Sequence, residues 1–212
     1  MPVRRDRPVG RLERADRWRR GVGLALLLGA ASATLPRAAP AELEVHFSPN
    51  GGVRDRLLRQ IHETETSIDL AIFDFTSGEL AGALVEARAR GVTIRIVADA
   101  RQARGRHSEV LALRAAGLDV QLAPRTGRRG IMHHKFAVFD GRVLVTGSYN
   151  WTDAAERANF ENALFLDDPA LVTRYAALFE RLLEGARAGT ATGPVARPAT
   201  AAEPSLPGSA LP

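Results

Sequence analysis

Residues 131–150, Ile-Met-His-His-Lys-Phe-Ala-Val-Phe-Asp-Gly-Arg-Val-Leu-Val-Thr-Gly-Ser-Tyr-Asn, concentrate the side chains able to do chemistry. Lys135 is the only lysine in a chain with 28 arginines. A single ammonium kept where composition otherwise prefers Arg points to a site that needs a compact point charge and not a planar fork. If 131–139 is a strand, His133 and Lys135 leave the same face about 7 Å apart along the backbone, within reach of one phosphate. An imidazole nitrogen can attack phosphorus while the ammonium offsets charge on the equatorial oxygens. Asp140 has the opposite parity and is expected to fix the following turn or a neighbouring strand. Thr146 to Asn150 form a second wall. There Gly147 lets the backbone approach an anion, and Ser148 and Asn150, two apart, can both donate to phosphate oxygens. A helix starting within Trp151–Ala155 would aim its free amides at the same anion. His134 points to the opposite face as a structural partner. Because adjacent strand residues diverge, the His133-His134 pair is not expected to hold a metal, and no cofactor is implied.

The elements that must position these groups are legible in the periodicity. Leu43 to Phe47 alternates like a strand, and Val53 to Glu65 carries apolar residues at helical spacing. Ser67–Phe73 reads as a strand, and Ser77 as the cap of a helix stopped at Gly91. Val92–Ala98 is a strand ending in Asp99, Ser108–Ala116 a short helix and Leu118–Leu122 a short strand. Strands over Ile131–Asp140, Val143–Thr146 and Phe160–Leu166 follow, with a hairpin at Asp140-Gly141. Pro169 opens a last helix with an apolar face of Leu171, Val172, Tyr175, Leu178, Phe179, Leu182 and Leu183. This alternation implies an α/β sandwich around a largely parallel or mixed sheet.

The 212 residues suffice for one domain with a real core. The formal charge of +5 is unevenly placed: residues 1–41 hold nine Arg and three acids, whereas the remainder holds 20 basic and 21 acidic side chains. Basicity of the folded part therefore gives no argument for a nucleic-acid partner. Residues 21–36 are uncharged, and Ala39-Pro-Ala41 follows, which fits an export signal on residues 1–41. The run is shorter than the roughly 20 residues of a comfortable membrane span, so an uncleaved anchor is the lesser reading of an exported, periplasmic or secreted protein. The absence of Cys excludes disulfides and thiolate metal sites. Residues 42–188 are expected to be the catalytic domain. Residues 189–212, rich in Ala, Pro, Gly and Thr, are expected to be a disordered tail.

The whole pattern, His-x-Lys-x4-Asp-x6-Gly-Ser-x-Asn, resembles the phospholipase D superfamily. The likeness is to its small single-motif members, bacterial endonuclease-like and mitochondrial cardiolipin-hydrolase-like. The match falls on His133, Lys135, Asp140, Gly147, Ser148 and Asn150, and the resemblance extends over about 43–185 through Phe47-Ser-Pro, Ala71-Ile-Phe-Asp-Phe-Thr76 and Gly91–Asp99. It implies a phospholipase D-like α-β-α sandwich around a mixed sheet and a metal-independent, two-step reaction. His133 would form a phosphohistidine, and a second histidine would protonate the leaving oxygen and then activate water. His133, Lys135, Asp140 and Glu161 form the implied catalytic set, with Lys135, Ser148 and Asn150 on the phosphate. Glu161 would accept a hydrogen bond from the far ring nitrogen of His133 and fix its tautomer. His46, His62, His107 and His134 have no Lys two residues on. The acid/base role therefore falls, on the resemblance, to the partner's copy of the nucleophile across a homodimer axis, with one site shared by two chains.

Arg101, Arg104 and Arg106 follow the strand ending at Asp99, and Arg125, Arg128 and Arg129 precede the motif. Loops at strand ends commonly line a site, so these six are candidates for a basic rim. Such a rim suits a nucleic-acid backbone read without sequence preference, or anionic lipid headgroups during a transient membrane contact. Phe73, Phe75, Tyr149 and Trp151 would stack bases, touch acyl chains or sit in the core. No long apolar lid is present, which favours a non-specific endonuclease over a phospholipase D. A catalytically silent nucleic-acid or membrane-binding module is the third reading.

Overall fold

The computed structural model describes residues 42–125, 127 and 129–189. The expected leader over 1–41, the tail after Gly189, and Arg128 of the candidate rim lie outside these residues. Seven strands form one sheet: β1 (Leu43–Ser48), β2 (Ser67–Ile72), β3 (Thr93–Asp99), β4 (Asp119–Ala123), β5 (Lys135–Phe139), β6 (Val143–Gly147) and β7 (Glu161–Leu166). Five helices accompany them: α1 (Val53–Glu63), α2 (Gly78–Ala89), α3 (Val110–Ala115), α4 (Asp153–Arg157) and α5 (Pro169–Arg187). The strand order is β1-β7-β6-β5-β2-β3-β4, with β2, β3 and β4 parallel and the other neighbours antiparallel. This is the expected mixed sheet.

Strand alternation sends successive side chains into two cores. Ile68, Leu70, Ile72, Ile94, Ile96, Ala137, Phe139, Val145 and Phe165 pack with α1, α2 and α3. Ala71, Val97, Phe136, Val138, Leu144 and Leu166 pack beneath Val172, Phe179, Leu182 and Leu183 of α5. The helices start where side chains satisfy their free amides. Ser77 Oγ accepts the Leu80 N–H at 3.4 Å, and Asp168 Oδ1 accepts the Leu171 N–H at 2.8 Å ahead of Pro169.

The β5–β6 hairpin turns at Asp140 (φ 52°) and Gly141 (φ 61°), with the Arg142 N–H donating to the Phe139 carbonyl at 2.9 Å. Two central residues at positive φ give the tight return that suits twisted strands. The strand expected over 131–140 is shorter, because the ladder begins at Lys135. Its neighbours run out there: β2 ends at Ile72, opposite Lys135, and the β6 pairing reaches only Phe136 opposite Thr146. Residues 131–134 therefore form a lead-in beyond the ladder. The registers bring the start of β5, the ends of β1, β2, β3, β4 and β6, and the start of β7 to one end of the sheet.

Candidate active site

His133 and Lys135 converge at that end. Lys135 Nζ donates to the His133 carbonyl oxygen at 2.9 Å and lies 3.0 Å from each ring nitrogen. Phe73, just beyond β2, is the platform for both: its ring centroid is 4.5 Å from that of the imidazole and 5.0 Å from the ammonium. Partial burial pulls the Lys135 pKa below the ordinary lysine value of 10.5, while the Glu161 and Asp74 carboxylates push it back up. Asp74 is itself shifted upward by burial, against the opposing pull of the Phe75 N–H and the Lys135 charge. Sequence reasoning gave Asp74 no role. Its placement depends on the turn after β2, which no local spacing reveals.

Ser148 and Asn150 are prepared as donors. Ser148 Oγ accepts the Asn162 N–H at 3.1 Å, which leaves its hydroxyl proton to give. Asn150 Oδ1 accepts the Asp74 N–H at 3.3 Å, so the side-chain amide NH2 is the group left to face a ligand. The loop after β6 is fastened to the loop after β2 by Trp151 N–H to the Asp74 carbonyl and by Thr76 and Ser77 N–H to the Trp151 carbonyl. An oxyanion placed among Lys135, Ser148 and Asn150 would meet donors with their acceptor sides already engaged.

Several expectations require correction. Gly147 serves packing and not anion approach, since a Cβ there would stand 2.2 Å from the Asn162 carbonyl oxygen. Of the amides of 151–155, Trp151 N–H is taken by the Asp74 carbonyl, Thr152 N–H by the Asn150 carbonyl and Ala155 N–H by Thr152 Oγ1, while those of Asp153 and Ala154, which open α4, have no partner among the described residues. Asp140, counted in the implied catalytic set, sits at the far end of β5. Its carboxylate accepts the N–H groups of Glu65, Thr66 and Ser67 and the Thr66 hydroxyl at 2.7–3.1 Å. That is the anchoring role its parity indicated. Glu161 opens β7 near Lys135, but its Oε1 accepts from Asn159 Nδ2 at 3.2 Å, and among the described residues it makes no hydrogen bond to His133. His134 sets its ring edge-on to Phe136, centroids 5.6 Å apart. Desolvation, then the charges of Lys135 and His133, lowers its pKa.

Phe75, Tyr149 and Trp151 are core residues, so of the four candidate aromatics only Phe73 reaches the site. Arg101, Arg104, Arg106, Arg125 and Arg129 are exposed and form no ion pair among the described residues. They follow β3 and β4, two and three strands across from β5, and the lead-in to His133 returns to the end of β3, where the Met132 N–H donates to Asp99 at 3.2 Å.

The family described as "Cardiolipin synthase, PLD-like domain" matches residues 57–183. The human protein named mitochondrial cardiolipin hydrolase is 39% identical over 157 residues, 74% of this chain and 59% of its own length. The protein named phospholipase D from Rickettsia conorii is 32% identical over 129 residues, 61% and 63% of the two chains. The chain thus spans about three fifths of the curated relatives it matches. The crystal structure of Nuc from Salmonella typhimurium, titled a phospholipase D family member, superposes with a TM-score of 0.62 at 31% identity, covering 68% of this chain and 95% of that one. The family match over 57–183, more than half of the chain and spanning β2 to β7, shows that this chain belongs to the phospholipase D-like family.

Proposed function

We propose that the chain hydrolyses phosphodiesters through a covalent phosphohistidine on His133. The observation that carries this reading is the meeting of His133 and Lys135 at the sheet end where Ser148 and Asn150 each accept a backbone N–H and keep their donor groups free. In the first step a ring nitrogen of His133 bonds to phosphorus, the bond to the leaving oxygen breaks, and an acid supplies that oxygen with a proton. In the second, water attacks phosphorus, loses its proton to the same group acting as base, and releases His133. Lys135, Ser148 and Asn150 stabilise the charge on the equatorial oxygens throughout.

The acid/base comes from the partner's copy of the nucleophile in a homodimer. An apolar strip that no other element covers among the described residues supports this. Leu43, Val45 and Phe47 lie on one face of edge strand β1, beyond the cover of α5, at 60%, 44% and 65% exposure. Phe160, next to Glu161, is 92% exposed. The strip reaches the catalytic end, where a two-fold contact would bring two sites together.

Five exposed arginines on loops at the same end, without an ion pair among the described residues, favour a nucleic-acid backbone as substrate, cut without sequence readout. A phospholipid diester is the second reading, favoured by relatives named mitochondrial cardiolipin hydrolase. Incubation of the protein in EDTA with plasmid, single-stranded nucleic acid and cardiolipin vesicles tests both. Cleavage of nucleic acid is expected, cleavage of vesicles alone would select the lipid reading, and activity only on adding metal would overturn the mechanism.

A further inference from the structure

Asp99, the last residue of β3, is 2% exposed, and its carboxylate is fully engaged. Oδ1 accepts the N–H groups of Arg101 and Gln102, each at 3.0 Å, and so shapes the turn that carries Arg101 and Arg104. Oδ2 reaches across to the motif and accepts the Met132 N–H at 3.2 Å. Among the described residues this is the only hydrogen bond donated by a backbone N–H between Arg129 and His134. The Met132 side chain, 6% exposed, anchors the same point in the core under α5. His133 therefore hangs from a lead-in with no ladder of its own, held on one side by Lys135 in β5 and on the other by Asp99.

We propose that Asp99 is a positioning residue that fixes the lead-in carrying His133 to the arginine turn, so that the nucleophile and the basic loop hold one mutual geometry. This rests on the phosphohistidine reading of His133. A carboxylate suits the task because two oxygens with several lone pairs can take three N–H donors, which no neutral side chain of that size can do. Asparagine offers one oxygen, and its amide would face an N–H donor-to-donor. The tie to Met132 or the cap on the arginine turn is then lost while the volume is kept.

Two measurements on the 212-residue chain test this. In the wild type, amide exchange followed by NMR should show Met132 protected at least about 100-fold over its neighbours Arg129 and Ile131, because a buried hydrogen bond must open before exchange. Comparable rates at all three would overturn the proposal without recourse to a variant. With bis(p-nitrophenyl) phosphate as substrate, Asp99→Asn should lower kcat about 10- to 100-fold, the scale of a small misplacement of a reacting group, with KM unchanged within about two-fold. A kcat equal to wild type per folded molecule, or a loss that follows the unfolded fraction alone, would mean that Asp99 only stabilises the fold. If the wild type turns over no diester, the proposed reaction falls, whereas the hold of Asp99 on Met132 is still decided by the exchange rates.

Discussion

In the proposed reaction Lys135 acts in its ammonium form, so the pH at which it loses its proton would bound the reaction. Burial has already lowered that pKa below 10.5, and the two carboxylates that oppose the shift are Glu161 and Asp74. Removing either charge leaves desolvation less opposed. The alkaline limb of kcat/KM is accordingly expected below the ordinary lysine range in the wild type, and lower again in Glu161→Gln. A pH-rate series on both proteins checks this, and a limb that stays in place would detach Glu161 from Lys135. The same residue shows what the motif alone conveys. Glu161 was legible as an acid at the right distance downstream, yet its hydrogen bond goes to Asn159, two residues away. Asp74 gave no signal, because what places it beside Lys135 is the fastening of its backbone to Asn150 and Trp151, 76 and 77 positions along the chain.

At the level of elements, Asp140 closes the loop between α1 and β2 against the turn of the β5–β6 hairpin. Burial alone would raise its pKa, but hydrogen bonds from the Thr66 hydroxyl and the N–H groups of Ser67, Glu65 and Thr66 outweigh it and hold the pKa below 3.8. A depressed folded-state pKa contributes stability that is present above the unfolded value and lost as pH falls through the folded one. Asp140→Ala should thus lower stability at neutral pH by about 1–3 kcal/mol, the scale of losing hydrogen bonds to a charged acceptor. Its denaturation midpoint should also fall less than that of the wild type on acidification below about pH 4. Denaturant titration at two pH values measures both, and an undiminished acid response would rule out this anchor. The hairpin turn, α1 and α5 were readable because Asp-Gly, helical spacing and a leading Pro are local signals. The start of β5 was not, since it is set by where β2 and β6 stop. The need for a glycine at 147 is not legible from its neighbours in sequence, because the Asn162 carbonyl that crowds it belongs to another strand.

For the whole molecule, the proposed shared site would make activity depend on pairs of chains. If each site needs His133 from both subunits, wild type exchanged with an equal amount of His133→Asn should retain about a quarter of the activity of the same total amount of wild type, the fraction of doubly wild-type dimers. A self-sufficient protomer would retain about half. The strip of Leu43, Val45, Phe47 and Phe160 is the surface expected to make that contact, and Phe160→Glu should shift sedimentation toward the monomer with loss of turnover. Beneath these tests lies the bond between an imidazole nitrogen and phosphorus. The most direct measurement is intact-mass and peptide analysis of enzyme quenched during turnover into alkaline denaturant, where a phosphoramidate survives. An adduct mapped to His133 in the wild type, and missing in His133→Asn, is the expected result. Steady turnover with no adduct on that ring, or with the adduct on another residue, would contradict it.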